Sequence, residues 1–318
     1  MKLSIIIPVY NVEKYLLRCL NSCAVQDLPV DDYEIVIVND GSPDGSKVIA
    51  EEFVESHSNA VLINQENGGL SVARNNGMKA ARGKYVWFVD SDDWIETNCI
   101  KEIVEKMEQY DLDMLQVGYW EAFDDGTTKP SNRGFFDGCG KGREIMKTLY
   151  IPAPAQFSVF RSKLLNDNDL RFFPRIYHED AEFKPRVLYY ADKFASLNKH
   201  VYYYYQRPNG SIMSNYNIKR GKDILTVCDR LCNFKKETSM SFDDQKEFNY
   251  IITTYLNEFF RGIIKLNKQE QNTLINLFKT NGNLISSMKN SKLRAHRFEG
   301  WLLSLNVPAG IRIINRLR

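Results

Sequence analysis

No run in this 318-residue sequence approaches the roughly 18 apolar residues that a membrane-spanning helix requires. Its amino end, Met1-Lys2-Leu3-Ser4, lacks the long apolar stretch and small-residue cleavage site of an export signal. Both absences predict a cytosolic setting. Histidine is scarce: His57, His178, His200 and His296 are the only four, and none lies close in sequence to the helically spaced pairs Cys19/Cys23 and Cys228/Cys232. The six cysteines therefore read as small, buried, reduced thiols rather than as zinc ligands or a disulfide framework. A dominant charge is missing too. Forty-two basic against 40 acidic residues leave +2, so no global field advertises a nucleic-acid partner. With 43% apolar and 26% charged residues, the chain has the composition of an ordinary globular protein. It is long enough for one full core and a second unit.

What stands out is Val89-Asp90-Ser91-Asp92-Asp93, closing the strongly apolar run Lys84-Tyr85-Val86-Trp87-Phe88. Three carboxylates packed where a buried strand meets solvent repel one another and lose hydration. A hard cation such as Mg²⁺ or Mn²⁺ among their oxygens relieves both costs, and such ions usually complete their shell with water and substrate phosphates. An acidic turn before a capped helix would look the same in isolation.

The alternation around this motif adds weight. Strands are predicted at Leu3–Ile7, stopped by Pro8, and at Glu34–Val38, Val61–Asn64, Lys84–Phe88 and Asp113–Tyr119. Between them fall helices. One is capped by Asn11 with an apolar face through Val12, Tyr15, Leu16, Cys19, Leu20 and Cys23; the others span Ser46–Ser56, Ser71 to a left-handed stop at Gly83, and Thr97–Gln109. Such βα units imply an α/β fold with a mostly parallel sheet flanked by helices. Ligands in these sheets bind beyond the carboxyl ends of the strands. Pro8-Val9-Tyr10-Asn11, Asp40-Gly41-Ser42 and Asp90-Ser91-Asp92-Asp93 would then share one rim, which an incidental acidic turn does not explain. Residues 125–142, rich in glycine and charge, predict hairpins or a mobile loop. Beyond about residue 214 the pattern becomes helical, with a boundary expected near 215–220 and helices over 224–234, 245–265 and 269–278.

Each motif admits a plain reading beside the chemical one. Asp40, held before a sharp turn at Gly41, could accept from a uracil imide N–H or a ribose hydroxyl, or simply close an Asx turn. Gln65-Glu66-Asn67-Gly68-Gly69-Leu70-Ser71 opens a helix whose amides attract anions, but it is neither a Walker loop nor a dinucleotide fingerprint. Arg74 in that helix's first turn opposes the helix dipole, so an anion should face it: Asp40, Asp90 or a diphosphate. Asp180, in Tyr177-His178-Glu179-Asp180, could be a general base or a helix cap. Arg207 and Ser211, after the tyrosine run Tyr202–Tyr205, could close over phosphates or lie in a solvated turn.

Taken together, the first ~120 residues closely resemble the family 2 glycosyltransferases of bacterial polysaccharide synthesis, which have the GT-A fold. The segments are Ser4-Ile5-Ile6-Ile7-Pro8-Val9-Tyr10-Asn11, Asn39-Asp40-Gly41-Ser42, Gln65–Ser71 with Ala73-Arg74-Asn75, and Phe88-Val89-Asp90-Ser91-Asp92-Asp93-Trp94. A weaker match runs through His178-Glu179-Asp180 to Arg207. The resemblance implies a catalytic domain over 1–215, with a nucleotide-sugar half (about 1–120) and an acceptor half, followed by a helical region over 216–318. It implies that Pro8, Tyr10 and Glu13 line the nucleoside pocket and that Asp40 binds uracil. Arg74 would order Asp40 or the diphosphate. Asp90, with Ser91 beside it, would contact ribose or the metal's water shell. Asp92 would coordinate Mn²⁺ or Mg²⁺, Arg207 would neutralise the departing diphosphate, and Asp180 would be the base of an inverting displacement. The implied donor is a nucleotide sugar of uridine diphosphate; the implied acceptor is a glycan or lipid-linked saccharide. Asn39 departs from the family, which usually has Asp there, and predicts a tuned pocket. Acceptor identity does not transfer.

The last thirty residues carry Lys289, Lys292, Arg294, Arg297, Arg312, Arg316 and Arg318 among Phe298, Trp301, Leu302, Leu305 and Ile313. Such a segment can lie in the interface of the inner membrane face or pack on its own protein. Two other functions compete. A sugar nucleotidyltransferase would need a basic, glycine-rich triphosphate loop after the first strand, which Pro8-Val9-Tyr10-Asn11 is not. A non-catalytic nucleotide-sugar binding module is kept open by Asn39.

Overall fold

A computed structural model describes residues 1–131, 134–148, 154–207 and 216–317. Its chain resolves into two compact units: residues 1–175 with 187–211, and residues 176–186 with 212–318.

The first unit is built on one sheet. Strand β1 (Leu3–Val9) leads to helix α1 (Glu13–Ala24), β2 (Tyr33–Asn39) to α2 (Ser46–Ser56), and β3 (Ala60–Asn64) to α3 (Leu70–Ala80). Then come β4 (Tyr85–Phe88), the short β5 (Trp94–Ile95), α4 (Ile100–Gln109), β6 (Met114–Ala122), β7 (Thr128–Pro130) and β8 (Cys139–Gly140). Helix α5 (Gly142–Thr148), β9 (Ser158–Arg161), α6 (Ser162–Asp167), α7 (Glu179–Tyr190) and β10 (Phe194–Tyr205) follow. The sheet order is β3-β2-β1-β4-β9-β6-β10-β5, with β7 on β6 and β8 on β10. β3, β2, β1 and β4 are mutually parallel, as are β6 and β10, while β9 runs antiparallel between β4 and β6. The fully buried runs of β1, β2 and β4 explain their near-continuous Ile, Val and aromatic content, because a parallel sheet is covered on both faces. Leu16, Cys19, Leu20 and Cys23 of α1 and Ile100, Ile103, Val104 and Met107 of α4 cover one side.

Three expectations are corrected. Pro8 does not stop β1, which continues to Val9 opposite Asn39. The Ile6 carbonyl accepts from Val89 and the Val9 carbonyl from Asp40, so alternation directs Pro8's missing N–H toward β4, whose pairing has ended at Phe88. Asn11 does not cap α1; it sits in the left-handed region (φ 55°). The helix is instead capped from beyond β2, where Ser46 Oγ at the start of α2 accepts from Val12 N at 3.0 Å and Asp44 from Glu13 N at 3.0 Å. Gly83 is not a left-handed helix stop, since α3 ends at Ala80 with Ala81 extended. A Cβ at Gly83 would lie 2.5 Å from Ser4 N, so close backbone approach explains this glycine.

In the second unit, α8 (Ile218–Glu237), α9 (Phe242–Ile263), α10 (Lys268–Thr280), α11 (Gly282–Lys289), α12 (Arg294–Leu305) and α13 (Val307–Arg316) form a helical assembly with the first part of α7. Asn217, Ser241, Asn267 and Asn306 cap α8, α9, α10 and α13 through side-chain hydrogen bonds, and Asn267 with Glu270 makes a complete capping box. Its core includes Ile224, Leu231, Phe248, Ile252, Phe259, Phe260 and Phe278. No described helix is long and apolar enough to cross a membrane. Among the six cysteines none is disulfide-bonded; five are buried and Cys139 is exposed.

Candidate active site

The parallel register brings three loops to one edge of the sheet, beyond the ends of β1, β2 and β4. Pro8 is buried inside β1 and Tyr10 is half exposed beyond it. Asp40, 3% exposed, does not close an Asx turn on itself. Its Oδ1 accepts from Gln65 Nε2 and Gly68 N, each at 2.7 Å, and its Oδ2 from Gly69 N at 2.8 Å. One carboxylate thus holds the loop that opens α3. A carboxylate offers about four acceptor sites, so three internal bonds leave one for an outside donor. Gly69, at φ 88°, supplies the left-handed backbone this loop needs.

Asn39 is buried and uses both halves of its amide. Nδ2 donates to Asn64 Oδ1 at 2.8 Å and Oδ1 accepts from Ser42 N at 3.1 Å. Asn39 thereby pairs with Asn64, so the departure from the family pattern comes with a local partner. Glu13 faces the same loops: its Oε2 accepts from Gly45 N at 2.7 Å while its N–H donates to Asp44. It braces the turn before α2.

The acidic motif divides into three environments. Asp90 receives the fully buried Arg74, whose Nη2 donates to Oδ1 at 2.8 Å, so Asp90 is an anion that Arg74 faces. Ser91 is buried within the turn, which closes with Asp93 N donating to the Asp90 carbonyl at 3.0 Å. Asp92 is as exposed as Asp90 but has the more open partner. Its Oδ2 accepts from Arg207 Nε and Nη2, both at 2.7 Å. Burial, and then the neighbouring Asp90 charge, push its carboxyl above the usual range despite Arg207. Asp93 is buried and structural: Oδ2 accepts from Tyr202 Oη at 2.6 Å and Oδ1 from Tyr205 N at 2.8 Å. Burial and the Asp92 and Asp90 charges raise it well above an ordinary carboxyl.

A further layer escapes motif reading. Tyr202 Oη also accepts from Asp90 N at 3.1 Å, tying β10 to the acidic turn from behind. In front, Arg207 lies 4.9 Å over the Tyr15 ring, Tyr15 packs on Tyr205 at 5.4 Å, and Arg18 sits 3.7 Å over Trp94 and 4.9 Å over Tyr205. Arg18 Nη2 donates to the Asp92 carbonyl at 2.9 Å. Two cations and three aromatic rings therefore fix the outer face of the turn. The run of four tyrosines was the one sequence signal for this layer.

Asp180 lies in the second unit, half-buried, as the second residue of α7. It is not the helix cap, since the first turn's amides of Ala181 and Glu182 donate to the His178 carbonyl at 3.0 and 3.3 Å. Ser211 falls outside the described residues.

Among the described residues no three His, Cys, Asp or Glu side chains form a metal-holding group. The residues present still suit a hard cation that takes most of its shell from substrate. Asp92 and Asp90 offer only oxygen, and positive charge is wanted there, as the raised Asp92 and the Arg207 clamp show.

Residues 4–181 match the family described as Glycosyl transferase family 2. The chain belongs to this family. It is 35% identical over 65% of its length to the uncharacterized glycosyltransferase EpsJ of Bacillus subtilis strain 168, covering 61% of that protein. It is 31% identical over 79% of its length to the putative glycosyltransferase EpsH of the same organism, covering 74% of it. The crystal structure of Staphylococcus aureus TarS 1-349 in complex with UDP-GlcNAc superposes with a TM-score of 0.70 at 26% identity, over 91% of this chain and 81% of that one. This family 2 domain has the GT-A fold of its structural neighbours. The chain spans about three fifths of the length of EpsJ.

Proposed function

We propose that this chain transfers a hexose or N-acetylhexosamine from a UDP-sugar to a hydroxyl of a glycan or lipid-linked saccharide, with inversion and with help from Mn²⁺ or Mg²⁺, in cell-surface polysaccharide synthesis. The observation that carries this reading is the carboxylate-and-arginine rim: Asp40, the Arg74–Asp90 pair and the Asp92–Arg207 pair beyond the ends of parallel strands. The likeness to TarS, solved with UDP-GlcNAc, supports a uridine nucleotide and an N-acetylhexosamine.

In this mechanism Pro8 and Tyr10 flank the base, and the remaining acceptor site of Asp40 takes the uracil imide N–H. Glu13 shapes that pocket through the Gly45 turn it braces. Arg74 holds Asp90 toward ribose, with Ser91 filling the turn beneath. Asp92, with Asp90 beside it, would hold a divalent cation, which would supply positive charge for the diphosphate. Arg207 exchanges its hold on Asp92 for the leaving phosphate oxygens. Asp180 is assigned by its motif to take the acceptor hydroxyl proton as oxygen bonds to the anomeric carbon. The bond from that carbon to the diphosphate oxygen breaks, UDP leaves with the electron pair, and attack from the opposite face inverts the centre.

The decisive experiment follows UDP release from a panel of UDP-sugars with Mn²⁺, alongside pyrophosphate release from UTP. UDP release that rises with acceptor supports transfer. Pyrophosphate release would show a nucleotidyltransferase, and binding without turnover a carrier module.

Peripheral membrane contact through residues 289–318 is a second part of the proposal. Phe298, Trp301, Leu305 and Leu317 are each about half exposed or more, while Leu303, Val307, Ile311 and Ile314 are buried in the helical unit. Liposome sedimentation of the intact chain and of a Phe298→Ser/Trp301→Ser variant tests it; equal binding removes the proposal.

A further inference from the structure

The helical unit holds a cavity of about 510 Å³ with five cationic side chains and no carboxylate among its lining residues. Lys235 and Lys236 enter from the last turn of α8, Lys246 from α9, Lys289 from the end of α11 and Arg297 from α12. Asn249, Ser287 and Ser291 are among its polar lining.

The charge pattern is unusual for its surroundings. Elsewhere in the unit, cations find acids: Lys292 bonds both oxygens of Glu247 at 2.7 and 2.8 Å, Arg220 meets Glu258 at 2.5 Å, and Arg230 meets Glu182 at 3.0 Å. Lys235 is half-buried, yet its ammonium donates only to neutral oxygens, Asn249 Oδ1 and, at 3.1 Å, Ser287 Oγ. Burial, together with the neighbouring Lys236 charge, pulls its pKa below that of an ordinary lysine. Asn249 and Ser287 are themselves fixed, the first donating to the Asn290 carbonyl at 3.1 Å, the second 3.3 Å from Cys232 Sγ. Arg297 spends donors only on the Ser291 and Lys292 carbonyls. Among the described residues Lys246 is the one lining cation in an ion pair, with Asp243 at 3.5 Å and mostly exposed. Holding a half-buried ammonium among like charges costs free energy unless an anion joins it. The cavity, at about 510 Å³, is larger than a single phosphate needs.

We propose that this cavity binds a multiply charged phosphate group, diphosphate or its esters, at a site separate from the nucleotide-sugar rim. Lysines serve here as point charges around the oxyanion, with Ser and Asn donors completing its hydrogen bonds. The phosphate can come free in solution or on a lipid headgroup.

The test uses the full chain in metal-free buffer with EDTA, titrated with inorganic diphosphate and followed by thermal shift and calorimetry. Wild type is expected to gain stability saturably, while Lys236→Gln/Lys289→Gln requires at least tenfold more diphosphate. Lys235→Gln should leave the ligand-free Tm unchanged or higher, because it removes an uncompensated ammonium, and should lose most of the diphosphate-induced rise. Retention on phosphatidylglycerol vesicles but not phosphatidylcholine vesicles, reduced at least tenfold by the same substitutions, would identify the phosphate as a headgroup. A diphosphate response without vesicle retention would identify a soluble ligand. Wild type and variants responding alike to both probes, or wild type responding to neither, overturns the site.

Discussion

Replacing Asp92 by Asn changes one oxygen to nitrogen at a partly exposed carboxylate of the acidic turn, and its effects on folding and on turnover should separate. The Asp92–Arg207 pair has two 2.7 Å contacts, but the side chains are 23% and 35% exposed, so solvent screening limits its worth to about 0–1 kcal/mol. Against it stand the burial and the Asp90 repulsion that raise the Asp92 carboxyl, and the neutral amide relieves both. The two effects oppose each other, leaving a net change of about 1 kcal/mol in either direction. That corresponds to a Tm shift of about 2–4 °C for a domain of 150–250 residues. Turnover should respond very differently. Removing one preorganised group that stabilises charge in a transition state typically costs about 10²–10³ in kcat. The assay is UDP release from UDP-GlcNAc with Mn²⁺, run beside differential scanning fluorimetry on the same preparations. A variant that keeps wild-type turnover refutes the role of Asp92. A Tm drop of more than about 10 °C would show that Asp92 holds the fold, and the electrostatic account would fail.

Asp180→Asn should lower turnover by about 10²–10⁴, the usual contribution of a positioned base, while UDP affinity measured by calorimetry stays within about twofold; unchanged turnover removes it as the base. Gly83→Ala should destabilise by about 1–3 kcal/mol, because its Cβ would meet backbone atoms of Leu3 and Ser4 at 2.6 and 2.5 Å, where no side chain can move aside. A denaturant midpoint equal to wild type contradicts that packing. Glu34, 1% exposed, accepts from Ser4 Oγ at 2.6 Å and from Arg82 N and Nε at 2.6 and 2.8 Å. Burial pushes its carboxyl up, but these donors outweigh burial and hold it below the usual range. A depressed folded pKa gives stability that is present above the unfolded value, near 4.3, and is lost as pH falls through the folded one. Wild type should therefore exceed Glu34→Gln in urea stability at pH 7, and the gap should narrow as pH falls below about 4. A gap independent of pH refutes this.

What the sequence made legible follows from which forces act locally. Helix α2 matches its expected span of Ser46–Ser56, and β2 and β3 fall within a residue of theirs at most edges, because alternation and turn residues act over a few positions. The shared rim was legible as well, since βα alternation in a parallel sheet leaves few topologies. What failed depends on partners far along the chain. Asn11 looked like a cap, but the donors of α1 are met by Asp44 and Ser46, more than thirty residues away. Gly83 looked like a helix stop, but its reason is the backbone of β1. Pro8 looked like a strand end, yet the neighbour it would offend had already stopped.

The acidic turn shows the same division inside the candidate site. Three carboxylates within four residues look equivalent as letters, and only the family resemblance ranked them, giving roles to Asp92 and Asp90 and none to Asp93. Folding gives each a different partner: Arg74 from α3 for Asp90, Arg207 from beyond β10 for Asp92, and Tyr202 with the Tyr205 amide for Asp93. Asp93 is thereby withdrawn to pin the tyrosine strand behind the turn, and Asp90 is committed to a fully buried arginine. Asp92 alone keeps a partner that is one-third exposed, and so alone can exchange it without breaking the fold. The distinction between holding a site together and working in it is thus set by how replaceable each counter-charge is, which depends on contacts 16 to 115 residues away.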